Sequence, residues 1–64
     1  MKYAIEIVVV RNNEEYSIGK IECKNLDMAE QLFKMINPTH LNGNQVGVLL
    51  KEDKEETDFK YSKK

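Results

Sequence analysis

Residues 3–24, YAIEIVVVRNNEEYSIGKIECK, decide the fold of this chain. From Tyr3 to Val10 the side chains alternate with the period of two that is typical of a β-strand. Asn12 and Asn13 interrupt the apolar run. Because Asn tolerates positive φ, they predict the central residues of a type I′ turn. A second strand over residues 15–24 then completes a β-hairpin.

The register of this hairpin predicts an irregularity in its second strand. Counting outward from the turn sets Ile5 opposite Lys20, which is a poor match. One extra residue in the second strand would instead set Ile5 opposite Ile21 and restore an apolar face along the hairpin. We therefore expect a β-bulge at Gly19–Lys20, where glycine adopts the unusual backbone angles.

One amphipathic helix is predicted over residues 27–36. Asn25 or Asp27 is expected to cap it, and Asp27 with Glu30 has the spacing of a capping box. Pro38 ends the helix, because the residue before a proline is disfavoured in the α region. The apolar stripe follows the i, i+3, i+4, i+7 pattern and consists of Ala29, Leu32, Phe33 and Ile36.

The remainder of the chain predicts a second hairpin. Residues 37–44 have the composition of a loop. Residues 45–51 alternate as a third strand and residues 52–56 form a charged turn. A short, mostly polar fourth strand follows over residues 57–61, and residues 62–64 are expected to fray.

The element order ββαββ predicts a single small α+β domain over residues 1–64. A right-handed crossover through the helix sets strand 3 beside strand 1 and antiparallel to it. We expect a mainly antiparallel four-stranded sheet in the order 2-1-3-4, with one helix on one face and the polar strand 4 on an edge. The face expected beneath the helix consists of Tyr3, Ile5, Ile7, Val9, Ile18, Ile21, Val46, Val48 and Leu50.

Composition restricts the classes of function. The 64 residues carry 10 basic and 11 acidic side chains, which argues against a globally basic nucleic-acid binder. No apolar run approaches the length of a membrane span, and no signal peptide is predicted. Cys23 is alone and forms no internal disulfide, which favours the cytoplasm. The excess of Lys over Arg indicates A/T-rich coding, so a phage-encoded or other accessory protein is expected.

No enzymatic centre is expected. His40 is the only histidine, and Cys23 is assigned to the inward face, where a thiol behaves as a small apolar group. Glu14 and Glu15 lie at the mouth of the first hairpin, in water. No glycine-rich phosphate loop or zinc-binding spacing is present in the sequence. We therefore expect no catalytic residues, no metal and no cofactor.

The leading hypothesis is a protein–protein interaction module that serves as an adaptor or inhibitor. The one helix leaves the other face of the sheet bare, and exposed apolar patches on small proteins tend to mark contact surfaces. Such a patch would form a two-fold homodimer or bind a larger protein. The alternative, that scattered surface Val and Leu are ordinary, stays open. The candidate patch consists of Ala4, Val8, Val10 and Leu49.

Two charged clusters supply further candidates. An acidic turn could engage a basic partner surface, or could simply be solvated; it consists of Glu52, Asp53, Glu55 and Glu56. The alternative function is a small nucleic-acid-binding protein that uses the sheet and a basic C-terminal cluster. That cluster consists of Lys60, Tyr61, Lys63 and Lys64.

Overall fold

The computed structural model describes residues 1–63 and has the order ββαββ. Neighbouring strands are antiparallel, and their order across the sheet is β2-β1-β3-β4. The predicted α+β class, element order and strand order are therefore confirmed. The elements are β1 (Tyr3–Arg11), β2 (Glu14–Cys23), α1 (Leu26–Met35), β3 (Gln45–Glu52) and β4 (Glu55–Tyr61).

Tight two-residue turns with positive φ join the strands of both hairpins. Asn12–Asn13 has φ of 51° and 65°, as the predicted type I′ turn requires. Asp53–Lys54 has φ of 50° and 75° and closes the second hairpin in the same way. Because this turn needs only two residues, β4 begins at Glu55, earlier than predicted. Asn42–Gly43 forms a third such turn within the segment predicted to be a loop.

The β-bulge predicted in β2 is present, but it lies at Ile18 and not at Gly19–Lys20. Ile18 is the extra residue, because its two neighbours pair with consecutive residues of β1. Gly19 takes an ordinary place in the ladder, and beyond it the register is the predicted one, with Ile5 opposite Ile21. The pairs that flank the bulge are Val8 with Ser17 and Ile7 with Gly19.

The helix begins one residue earlier than predicted, because Asn25 and not Asp27 caps it. The Oδ1 of Asn25 accepts a hydrogen bond of 2.8 Å from the backbone N–H of Met28. The capping box expected from Asp27 and Glu30 is therefore not formed. Asp27 lies in the first turn instead, where the helix dipole favours a negative charge. The last helical residue is Met35.

The hydrophobic core lies between α1 and the two central strands. Phe33 marks the β4 side of the helix, since the Nζ of Lys60 lies 4.8 Å from the centroid of its ring. The centre of the core consists of the buried side chains of Ile5, Ala29, Val48 and Leu50. Partly buried side chains surround this centre, namely Tyr3, Cys23, Leu32, Phe33 and Ile36.

The helix does not cover the whole of its face, contrary to expectation. Ile18 and Ile21 of β2 remain 55% and 40% exposed. A four-stranded sheet is about 19 Å wide at ~4.8 Å per strand, whereas a helix with its side chains is about 10 Å across. Because α1 lies mainly over β1 and β3, the β2 side of this face stays open.

Ser62 is buried and anchors the chain after β4, so the expectation that it frays is wrong. Its N–H donates to the carbonyl oxygen of Val46 at 2.8 Å, and its Oγ accepts from the N–H of Val46 at 2.9 Å. The Nδ1 of His40 lies 2.9 Å from the same Oγ. Lys63 is exposed, and Lys64 lies outside the described residues.

Candidate protein interaction surface

The face of the sheet opposite α1 was expected to expose an apolar patch, and it buries most of that patch instead. Ala4 is 8% exposed, while Val8 and Leu49 are each 3% exposed. Val10 is half-buried. The expected exposure of Ala4, Val8 and Leu49 is therefore wrong, and this patch offers less apolar surface for the two-fold dimer than expected.

Tyr61 of β4 closes this face. Gly47 lies opposite Tyr61 in the ladder, and a Cβ at Gly47 would lie only 2.5 Å from a carbon of the Tyr61 ring. The absence of a side chain at this glycine therefore lets the ring lie across β3, toward Val8. At the far side of the sheet the Tyr61 hydroxyl donates to the carboxylate of Glu15 on β2. Phe59 packs beside it, with the ring centroids 5.7 Å apart.

An ion pair covers the other end of the same face. The Nζ of Lys51 lies 2.6 Å from the carboxylate of Glu6, and both side chains are largely shielded from solvent. The hydrogen bond from Lys51 lowers the pKa of the Glu6 carboxyl, although partial burial opposes this effect. An aromatic ring and an ion pair thus cover much of this face, and a depression lined by Ala4, Glu6, Lys20, Glu22 and Lys51 remains at the end that holds the ion pair.

One carboxylate of the acidic turn makes hydrogen bonds within the chain. Asp53 is engaged within the chain, because its Oδ1 accepts from the N–H of Lys2 at 2.8 Å and its own N–H donates to the Lys2 carbonyl. Glu52 lies opposite Tyr3. Loss of solvation raises the pKa of the Tyr3 hydroxyl, and the negative charge of Glu52 raises it further. Asp53, Glu55 and Glu56 are exposed, whereas Glu52 is half-buried.

The basic cluster near the C-terminus divides between the two faces. Lys60 lies against Phe33 on the helix side, whereas Tyr61 lies on the opposite face. Lys63 is exposed, and Lys64 lies outside the described residues. The described part of this cluster therefore forms no common surface of basic and aromatic side chains.

The side chains of His40 and Cys23 both make contacts within the fold. His40 contacts Ser62, as described above, and thereby ties the loop after α1 to the end of β4. The Sγ of Cys23 is partly buried and donates to the carbonyl oxygen of Ile21 at 3.7 Å. Within residues 1–63, no three His, Cys, Asp or Glu side chains are grouped so that they could hold a metal ion. In the same residues, no helix has the length and apolarity to cross a membrane.

A groove of exposed apolar side chains lies on the helix side of β2. The β2 residues Tyr16 and Ile18 are 49% and 55% exposed, and with Leu41 they line a shallow depression. At 3.6 residues per turn, Met28 and Met35 lie on the flank of α1 opposite the core-facing Phe33 side. Because the Phe33 side of α1 lies toward β4, we infer from the helical geometry that this flank lies toward β2. We call the whole surface the β2 groove, which consists of Tyr16, Ile18, Ile21, Met28, Met35 and Leu41.

The sequence pattern assigned two of these residues, Ile18 and Ile21, to the face beneath the helix. The extra residue predicted in β2 set both Ile18 and Ile21 on the inward face, and both do lie on the helix side. The signal that would have placed them at a surface is geometric, because one ten-residue helix is too narrow for four strands. The candidate site therefore lies on the helix side and not on the opposite face.

Comparison with models of known families, with curated proteins and with solved structures yields no match to this chain. The functional argument therefore depends on the geometry of the chain itself. That geometry consists of one largely covered sheet face, one open β2 groove and a β2 edge with no neighbour among the described strands.

Proposed function

We propose that this chain is a non-enzymatic protein-binding module, an adaptor or inhibitor that binds a larger protein through the β2 groove. One observation carries the proposal: large apolar side chains are concentrated on the β2 side of the helix-covered face. Contiguous exposed apolar surface of this kind is typical of protein contact sites. The two methionines of the groove add flexible side chains that adapt to a partner.

The occupant we propose is an amphipathic helix of the partner. Helices that pack side by side lie 8–10 Å apart, and the sheet has room for a second helix beside α1. That position lies over β2, where the floor of the groove is formed by Ile18 and Ile21. A helix with an apolar stripe would bury this floor and contact the flank of α1 that carries Met28 and Met35.

Nucleic-acid binding receives less support as an alternative. Phe59 and Tyr61 do lie together on the helix-free face, as stacking platforms for bases do. However, the Tyr61 hydroxyl is bound to Glu15. The carboxylates of Glu15 and Glu56 lie near Tyr61 and would repel phosphate.

Site-specific photo-cross-linking tests the proposal with a matched pair of positions. A photoreactive phenylalanine analogue is placed at Tyr16 in the groove, or at Phe59 on the opposite face, in tagged protein produced in its native host. The two side chains are similarly exposed, at 49% and 56%. We expect one partner to be cross-linked from position 16 and not from position 59, through a segment with a helical apolar stripe.

The variant Ile18→Asp serves as the energetic test. Loss of one buried apolar contact should reduce capture of the position-16 partner roughly tenfold or more, while circular dichroism shows an unchanged fold. Capture that is equal from both positions, or that is insensitive to Ile18→Asp, would contradict a role for the β2 groove.

A further inference from the structure

β2 is an edge strand with a short regular segment beyond its bulge. Its outer side has no neighbour among the described strands. The bulge at Ile18 ends regular pairing on one side, and the strand ends at Cys23 on the other. Residues 19–23 therefore form the regular segment that a further strand could extend. Unpaired edges of this kind commonly bind another strand.

The backbone groups of Lys20 and Glu22 point away from the sheet. In antiparallel ladders, hydrogen-bonded and non-hydrogen-bonded pairs alternate along a strand. The N–H of Asp53 donates to the carbonyl of Lys2, so the even-numbered residues of β1 bond toward β3. Lys20 and Glu22 pair with even-numbered residues of β1, and their N–H and C=O groups therefore face outward, whereas those of Ile21 face β1.

This alternation permits few ways in which β2 could pair with a second copy of itself. Opposed residues must be of the same hydrogen-bonding type, so the two-fold axis passes through a residue and not between two residues. An axis at Lys20 or at Glu22 would oppose like charges. An axis at Ile21 sets Lys20 of each copy opposite Glu22 of the other copy. That register also uses the whole of the regular segment.

We propose that the chain forms a two-fold dimer by antiparallel pairing of β2 with β2 of a second copy, centred on Ile21. Two Lys20–Glu22 pairs exchange four backbone hydrogen bonds and bring opposite charges together on the helix-free face. The two Ile21 side chains meet on the helix side. Within residues 1–63, neither Lys20 nor Glu22 has an ion-pair partner within 4.0 Å, and Lys20 lies opposite Glu6 in the ladder.

The proposed dimer rests on the proposed function, because both take the β2 side of the sheet as the interaction side. The dimer adds a second copy of the chain as the partner of the β2 edge. The two-fold axis is perpendicular to the joined sheet, so both helices lie on the same face. The two β2 grooves then lie side by side between the helices. Self-association and partner capture can nevertheless be measured separately.

Cysteine cross-linking tests the register. In a Cys23→Ala background, Ile21→Cys places two thiols at the axis, where Cα atoms of a non-hydrogen-bonded pair lie about 4.5 Å apart. Ile18→Cys is the matched control, because it is the same substitution on the same strand and face, and Ile18 is more exposed. We expect mild oxidation to yield covalent dimers from Ile21→Cys and at least roughly tenfold less from Ile18→Cys.

Charge reversal tests the same register without placing a cysteine at the axis. Glu22→Lys opposes like charges at two symmetric pairs and should weaken dimerisation roughly tenfold, as measured by sedimentation equilibrium. Lys20→Glu should do the same, and the double variant should regain dimerisation close to that of the parent chain. Glu22→Lys is the cleaner single change, since Glu22 lies opposite Ala4.

Three results would overturn the dimer: a monomer at all concentrations, cross-linking from Ile18→Cys equal to that from Ile21→Cys, or a double charge variant that does not recover. If the dimer fails but position-16 cross-linking still captures a partner, the proposed function stands without it. If the dimer forms but Ile18→Asp leaves partner capture unchanged, the β2 groove fails and the edge contact stands.

Discussion

Gly47 is the residue on which the closed face of the sheet depends. Its missing side chain leaves the space that the Tyr61 ring occupies, and the nearest atom of Val8 is also close to this space. Glycine is usually unfavourable inside a strand. Here close packing of a ring against the backbone gives a physical reason for it, which strand periodicity alone does not reveal.

We predict that Gly47→Ala destabilises the fold by about 1–3 kcal/mol, because the new methyl group would overlap the Tyr61 ring and displace it. Urea unfolding monitored by circular dichroism measures this change. Gly19→Ala is the matched control on the other hairpin, since nothing lies within 4 Å of its added Cβ. It should be neutral or stabilising by up to about 1 kcal/mol. Equal stability of the two variants would refute this role of Gly47.

At the scale of elements, the helix shows how a local choice between two capping residues is resolved. Asn25 and Asp27 are both good N-cap residues by type. The structure places Asn25 directly after the turn that leaves β2, so that its side chain reaches the N–H of Met28. A helix of ten residues is marginal in isolation, so its stability depends on this cap and on packing against the sheet.

We predict that Asn25→Ala lowers the free energy of unfolding by about 0.5–2 kcal/mol, through loss of the hydrogen bond to Met28. Asp27→Ala removes only a favourable charge in the first turn and should cost about 0.3–1 kcal/mol. Urea titrations of the two variants under the same conditions give the comparison. A larger loss for Asp27→Ala than for Asn25→Ala would mean that Asp27 is the effective cap.

For the whole molecule, the Tyr61–Glu15 hydrogen bond links β4 to β2, the two edges of the sheet. This bond, with partial burial, raises the pKa of Tyr61 from 10.0 to about 12. The bond stabilises the protonated hydroxyl, so its contribution to stability is complete below pH 10 and is lost as the pH rises toward 12.

We predict that part of the stability of the parent chain is lost between pH 10 and 12, and that Tyr61→Phe removes this part. Unfolding free energies of both proteins across this interval, together with phenolate absorbance, measure the effect. Glu15→Gln should shift the Tyr61 titration toward its ordinary pKa. An identical alkaline loss of stability in the parent chain and in Tyr61→Phe would show that the bond does not contribute.

The sequence predicted the fold well because its signals are local. Alternation in β1, the Asn12–Asn13 turn and the apolar stripe of α1 each depend on neighbours in the chain, and chirality of the crossover then leaves few strand orders. The register beyond the bulge also followed from matching Ile5 with Ile21. The position of the bulge was predicted one residue too late, because the apolar pattern requires one extra residue in β2 but does not identify which residue it is.

The sequence by itself determined the elements, their order and the faces on which the apolar residues of β1, β2 and β3 lie. Only the tertiary structure decided which face is covered, because cover depends on the width of a helix and on the reach of single side chains across strands. The Tyr61 ring lies over Gly47 and covers part of the face that was expected to be bare. On the face that was expected to be buried, the single helix leaves Ile18 and Ile21 exposed. The candidate interaction surface therefore moved from one side of the sheet to the other.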